Sequence, residues 1–185
     1  MRVSFEVIRS RRHHNDPGPR VIHSDVVKRD PTVLRSVPAF GGLTLDTLGF
    51  LLDRAVQTSV AKGDYFFEQG DTGEAVYILD TGRVAVEKKL GEHRYLLRIL
   101  EAGDCFGEIA LLSVTKRTAS IRALEPCEAL RITNRHLRDL YAHDLEQFTL
   151  LVMNLGREVC RRFEEIDKRL FSFVGPTLQP IDKGD

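Results

Sequence analysis

Two ionisable side chains stand nine residues apart in the run Phe-Gly-Glu-Ile-Ala-Leu-Leu-Ser-Val-Thr-Lys-Arg-Thr-Ala-Ser, residues 106–120. Glu108 follows Gly107, and Arg117 is followed by the small residues Thr118, Ala119 and Ser120. An ionised carboxylate only accepts hydrogen bonds, so Glu108 suits the hydroxyl of a sugar. A guanidinium meets a phosphate with two parallel charge-assisted bonds, which suits Arg117 to an anionic diester. The apolar turn at 109–112 adds backbone N–H groups that a helix start leaves free for the same anion. The chemistry these residues support is capture of a cyclic phosphodiester carried on a sugar. The plain alternative is a structural Glu108–Arg117 ion pair, which at a surface is worth ~0–1 kcal/mol.

A second run, Gly-Asp-Tyr-Phe-Phe-Glu-Gln-Gly-Asp-Thr-Gly-Glu-Ala-Val-Tyr-Ile-Leu-Asp-Thr-Gly at 63–82, places glycines at 63, 70, 73 and 82 around short β-prone stretches. Glycine accepts the positive φ that tight turns between such strands demand. In their order and spacing, these two runs resemble the cyclic nucleotide-binding domains, with family-like pattern over roughly residues 40–170. The resemblance implies that Glu108 takes the ribose 2′-hydroxyl and Arg117 the phosphate. It further implies that Gly107, Ile109 and Ala110 offer backbone groups and that Thr118 and Ala119 close the loop. A proline often precedes the arginine in that family, whereas this chain has Lys116. That difference bears on loop stiffness, because proline there mainly fixes φ. Thr118 can donate to the phosphate or to a base edge, and the ligand expectation leans to cAMP over cGMP. Arg162 and Phe163, on the helix that lids the nucleotide in such domains, are the candidates for base contact by stacking and cation–π attraction.

The elements that position these residues read as mainly β with flanking α. Short strands are expected near 56–60, 65–67, 75–80, 83–89, 94–100, 119–124 and 127–132, with Gly91 marking a hairpin turn. With the resemblance, this gives an eight-stranded jelly-roll β-roll with a long C-terminal helix. A helix is expected over 44–55, capped by Thr44, and another from Thr133 or Asn134 through Tyr141. A longer one runs over 145–170. On it Leu145, Phe148, Val152, Leu155, Val159 and Ile166 recur at alternating three- and four-residue steps, with Arg162 filling one slot, as in a coiled-coil seam. The pattern and the resemblance to bacterial members favour a homodimer through this helix over a helix packed only on its own domain. The division expected is a flexible tail over 1–37 that includes the basic cluster Arg9–His14, a nucleotide-binding domain over 38–170 (β-roll about 56–132, helices 134–170), and a C-terminal tail over 171–185.

The chain has 185 residues, 42% hydrophobic, with Lys+Arg and Asp+Glu both 27. A core is affordable, and zero net charge gives no global pull toward nucleic acid or membrane. No apolar run approaches the ~20 residues of a membrane span. Cys105, Cys127 and Cys160 lack a Cys-x-x-Cys pair, which fits free thiols in a reducing cytoplasm. The histidines show no metal-ligand spacing, and Ser113 and Ser120 have no partners in hydrolase order. The expectation is a non-enzymatic cytoplasmic sensor with no cofactor, ligand cAMP or cGMP, that relays occupancy through the long helix to an unidentified effector protein. About fifteen residues follow Leu170, too few for a helix-turn-helix. The rival readings are an interaction module with a degenerate or empty pocket, and a DNA-binding regulator acting through the basic arm.

Overall fold

The computed structural model describes residues 22–24 and 30–175. Its strands are β1 (Ile22–Ser24), β2 (Val56–Val60), β3 (Tyr65–Phe67), β4 (Ala75–Thr81), β5 (Val84–Leu90), β6 (His93–Leu100), β7 (Cys105–Phe106), β8 (Ser120–Ala123) and β9 (Cys127–Thr133). Its helices are α1 (Leu45–Leu52), α2 (Glu108–Ser113), α3 (Asn134–His143) and α4 (Leu145–Val174), with 3-10 helices at Pro31–Ser36 and Pro38–Phe40. All strand pairs are antiparallel and form two sheets, ordered β1-β2-β9-β4-β7 and β3-β8-β5-β6. The eight strands β2–β9 make the jelly-roll β-roll, and β1 extends one edge.

Alternation along the strands explains where two cores form. On β4, Ala75, Tyr77 and Leu79 point into the roll, while Val76 and Ile78 point out to the helices. β9 repeats this with Cys127 and Ala129 inward and Leu130 and Ile132 outward. A period of two puts successive side chains on opposite faces, so a run of consecutive apolar residues means both faces are covered. The inner core closes around Phe66, Tyr77 and Phe106, with Tyr77 and Phe106 stacked at 5.3 Å. The outer core packs Leu48 and Leu51 of α1, Leu137 and Leu140 of α3, and Leu151 and Leu155 of α4 onto the five-stranded sheet.

Three expectations change. The tail over 1–37 contains ordered chain: β1 pairs with Gln57–Ser59 of β2, and the 3-10 helix at Pro31–Ser36 buries Leu34, with Val37 buried just after it. These are apolar groups removed from water, a driving force that the charged context of the segment obscures. The basic cluster at 9–14 lies outside the described residues. At the other end α4 continues to Val174, into the segment read as a C-terminal tail. The seam also shifts. Leu155 and Arg162 face the roll and are buried, whereas Phe163, Ile166, Leu170 and Phe173 are each more than half exposed, with Ile166 and Leu170 on the side of the roll's open cavity. The exposed positions also step by three and four residues, while Leu155 and Arg162, expected in the seam, are taken up by the domain itself.

α3 begins at a reciprocal cap. The His136 backbone N–H donates to Thr133 Oγ1 at 3.4 Å, and the Thr133 N–H donates to His136 Nδ1 at 3.3 Å. Burial is the main cause that lowers the His136 pKa, helped by Arg131, Arg135 and Arg54 and opposed by Asp139. A lowered folded value means the neutral ring is the one the fold prefers, and only that form accepts at Nδ1. The stabilisation is therefore complete above the unfolded value of about 6.5 and is lost as pH falls through the lower folded value. Thermal melts from pH 7.5 to 5 should show a loss of Tm in the parent chain that is smaller in His136→Gln; identical pH profiles would remove the cap from this role.

Candidate nucleotide site

β7 turns into α2 through Gly107, whose φ of 85° is left-handed. A Cβ at that residue would stand 2.6 Å from Arg117 Nη1 and 3.1 Å from the Ala75 carbonyl oxygen. Glycine is required here twice over, by backbone angle and by the closeness of the guanidinium. Gly73 has a similar steric role against the middle of α2, since a Cβ there would lie 2.3 Å from the Ala110 Cβ. The loop after β3 can therefore press against the helix, which sets α2 on the roll.

Arg117 is held by its backbone and by its head group. Its N–H donates to Asp71 O, and its carbonyl accepts from Gly70 N–H, both at 2.9 Å. The preceding Lys116 forms an isolated bridge with Thr72, so pairing with a neighbouring loop holds this segment. The guanidinium donates from Nη1 to Gly107 O and from Nη2 to Ala75 O, each at 2.8 Å, and lies 4.0 Å from the Phe67 ring centroid. Arg117 is buried, its Nε is shielded from water without an acceptor, and desolvation lowers its pKa. A buried cation with no carboxylate hydrogen-bonded to it is costly in a medium of low dielectric.

Glu108 is 2% exposed and does not pair with Arg117. Its carboxylate accepts from Arg162 Nη1 of α4, and Arg162 Nη2 donates to the Cys105 carbonyl. Glu158, one turn earlier, lies 3.9 Å from Arg162 Nε. Burial beside Glu108 pushes the Cys105 thiol up to about 12, which makes it a packing group in its protonated form.

These side chains surround a cavity of about 560 Å³. It is lined by Gly107, Glu108, Ile109, Ala110, Arg117, Thr118 and Ala119, and so brings together every residue expected at the phosphate and ribose. Of the two base-contact candidates, Arg162 lines the cavity, but Glu108 and Cys105 engage both of its terminal nitrogens. Phe163 is 67% exposed and is not part of the lining, because a one-residue step on a helix turns the side chain by about 100°. Residues that the sequence reading missed include Phe67, which faces Arg117, and Leu97 and Arg98 of β6. Phe67 sits in a run of aromatics that looks like ordinary core, and only the register of β3 reveals its second role.

The sequence model of the family described as "Cyclic nucleotide-binding domain" matches residues 57–144. The Cyclic AMP receptor protein of Thermus thermophilus is 30% identical over 138 residues, which is 74% of this chain and 62% of that protein. The cGMP-dependent protein kinase, isozyme 1, of Drosophila melanogaster is 36% identical over 103 residues, 54% of this chain and 13% of the kinase. The crystal structure of the Thermus thermophilus Catabolite Activator Protein superposes with a TM-score of 0.65 at 30% identity, over 74% of this chain and 62% of that one. A cyclic nucleotide-binding domain from Methylobacillus flagellatus gives a TM-score of 0.70 at 17% identity, covering 88% and 92%, and supports the fold alone. The chain thus spans less than two thirds of these curated relatives' own length. The family model and the fold together show that residues 57–144 of this chain belong to the cyclic nucleotide-binding domain family.

Proposed function

We propose that this domain is a sensor that binds a 3′,5′-cyclic purine mononucleotide, with cAMP as the first choice of base, and passes its occupancy to α4. One observation carries the reading: Arg117 is buried over the cavity and, among the described residues, its Nε–H has no acceptor and no carboxylate hydrogen-bonds or salt-bridges to it. A phosphodiester at the cassette supplies that charge and an acceptor. An unused pocket gains nothing from such a residue, which speaks against the rival interaction module. The choice of cAMP leans on the likeness to the Cyclic AMP receptor protein, which extends over 74% of this chain.

The route to α4 runs through Glu108. Its carboxylate holds Arg162, and a ribose 2′-hydroxyl donating to the same group joins the ligand to the helix through one residue. The helix moves only by as much as the ligand favours one of its two positions. The exposed stripe of α4, with Phe163, Ile166, Leu170 and Phe173 each more than half exposed, is the surface for a homodimer or for an effector protein.

Calorimetry with cAMP tests the phosphate assignment. Arg117→Ala should weaken binding by about 2–4 kcal/mol, with Arg117→Lys intermediate because it keeps the charge and loses the fork. Unchanged affinity in a folded Arg117→Ala variant would refute it. Urea unfolding tests the pair. Arg162→Met should cost about 3–5 kcal/mol by leaving a buried carboxylate alone, and adding Glu108→Leu should recover most of that loss. Additive losses in the double variant would show that the two side chains are not coupled.

A further inference from the structure

The cavity carries more basic side chains than one mononucleotide phosphate answers. The chain as a whole has zero net charge, so an excess on one wall is not inherited from composition. Five basic side chains line the cavity, Lys88, Arg98, Arg117, Arg162 and Arg169, against the two acids Glu108 and Glu165. Both acids are already engaged, Glu108 by Arg162 and Glu165 by Arg161 at 2.9 Å. A cyclic mononucleotide phosphate answers Arg117. Lys88, Arg98 and Arg169 remain, and among the described residues none of their side chains makes a hydrogen bond or salt bridge, although the Arg169 carbonyl accepts from Ser172 Oγ.

These three converge from separate elements. Lys88 is on β5 and Arg98 on β6. The register pairs Val86 with Arg98 and Lys88 with Tyr95 across an irregularity at Val86/Glu87, and both basic side chains reach the cavity. Arg169 comes from α4, seven residues beyond Arg162 and so roughly 10 Å further along the helix. Lys88 and Arg169 are exposed, and Arg98 is half-buried. Burial and the neighbouring Arg162 lower the Arg98 pKa, against Glu108, Asp104 and Glu165, which raise it. Like charges gathered at one mouth repel unless an anion sits among them.

We infer that the cavity has a second anion subsite, formed by Lys88, Arg98 and Arg169, for a nucleotide that carries two separated phosphates, as a cyclic dinucleotide does. This rests on the cassette reading given above and extends it. What Glu108 and Arg117 recognise is a ribose 2′-hydroxyl beside a 3′-phosphodiester. That unit occurs in cyclic mononucleotides, in cyclic dinucleotides and in linear ribodinucleotides alike, so the cassette does not reject the larger ligands. The second phosphate then lies toward β5, β6 and the far half of α4, where the unanswered charges are.

The experiment is calorimetry on the full chain with cAMP, cGMP, cyclic diguanylate, cyclic diadenylate and linear pGpG, at low and moderate salt. At least one dinucleotide should bind about tenfold tighter than either mononucleotide, the scale of one added charge-assisted contact, and should lose more affinity with salt. The double variant Lys88→Gln/Arg169→Gln should erase that advantage and leave cAMP affinity within about twofold. Linear pGpG matching the cyclic form supports the two-phosphate class and shows that the ring is not required. cAMP or cGMP binding with no dinucleotide tighter overturns the second subsite and leaves the cassette standing. An Arg98→Gln variant that weakens cGMP alone assigns Arg98 to a guanine edge and also overturns it. If no nucleotide binds at all, both readings fall.

Discussion

A carboxylate removed from water has to be answered by a cation, and the one that answers Glu108 comes from 54 residues downstream. Arg162 is itself buried, and its second terminal nitrogen closes on the Cys105 carbonyl. Taking either partner away strands the other in a low-dielectric interior, a larger penalty than the net value of the pair. This constraint fixes where the middle of α4 sits against the roll. It also means that any ligand group reaching Glu108 acts at the joint between cassette and helix.

The rest of the architecture serves to make that joint possible. β4 is covered on both faces, by the aromatic interior of the roll on one side and by the helical layer on the other. α1, α3 and the first half of α4 are therefore anchored through packing. The second half of α4 is different. Beyond Arg162 its described side chains are exposed, including Phe163, Phe171 and Phe173, at 64–67%. One end of the helix belongs to the core, the other is an open apolar surface, and the ion pair lies at the boundary between them. A helix divided in this way can convert a local electrostatic change into a displacement of its far end.

The cassette was legible because its requirements are local. Gly107 must adopt positive φ, Glu108 begins a short helix, and Arg117 is followed by small residues, all within one stretch of chain. Most strands were legible for the same reason, since alternation and turn residues are short-range signals. β7 was not, because two residues, Cys105–Phe106, are too few to show a period. The partner of Glu108 was not legible either. Arg162 looks like a polar defect in a heptad until the register of α4 is known, and that register depends on which face meets Val76, Ile78 and Leu130 of the sheet. One position along the helix separates Arg162, at the cavity, from Phe163, in solvent. The charges of Lys88, Arg98 and Arg169 are visible in the sequence, but their meeting at one cavity is a property of three elements distant along the chain.

The most direct test of the central claim is a crystal structure of the chain with cAMP bound. The account predicts an exocyclic phosphate oxygen within hydrogen-bond distance of Arg117 and the ribose 2′-hydroxyl on Glu108, with that carboxylate still in contact with Arg162. A nucleotide whose phosphate lies away from Arg117, or whose ribose leaves Glu108 untouched, would contradict it.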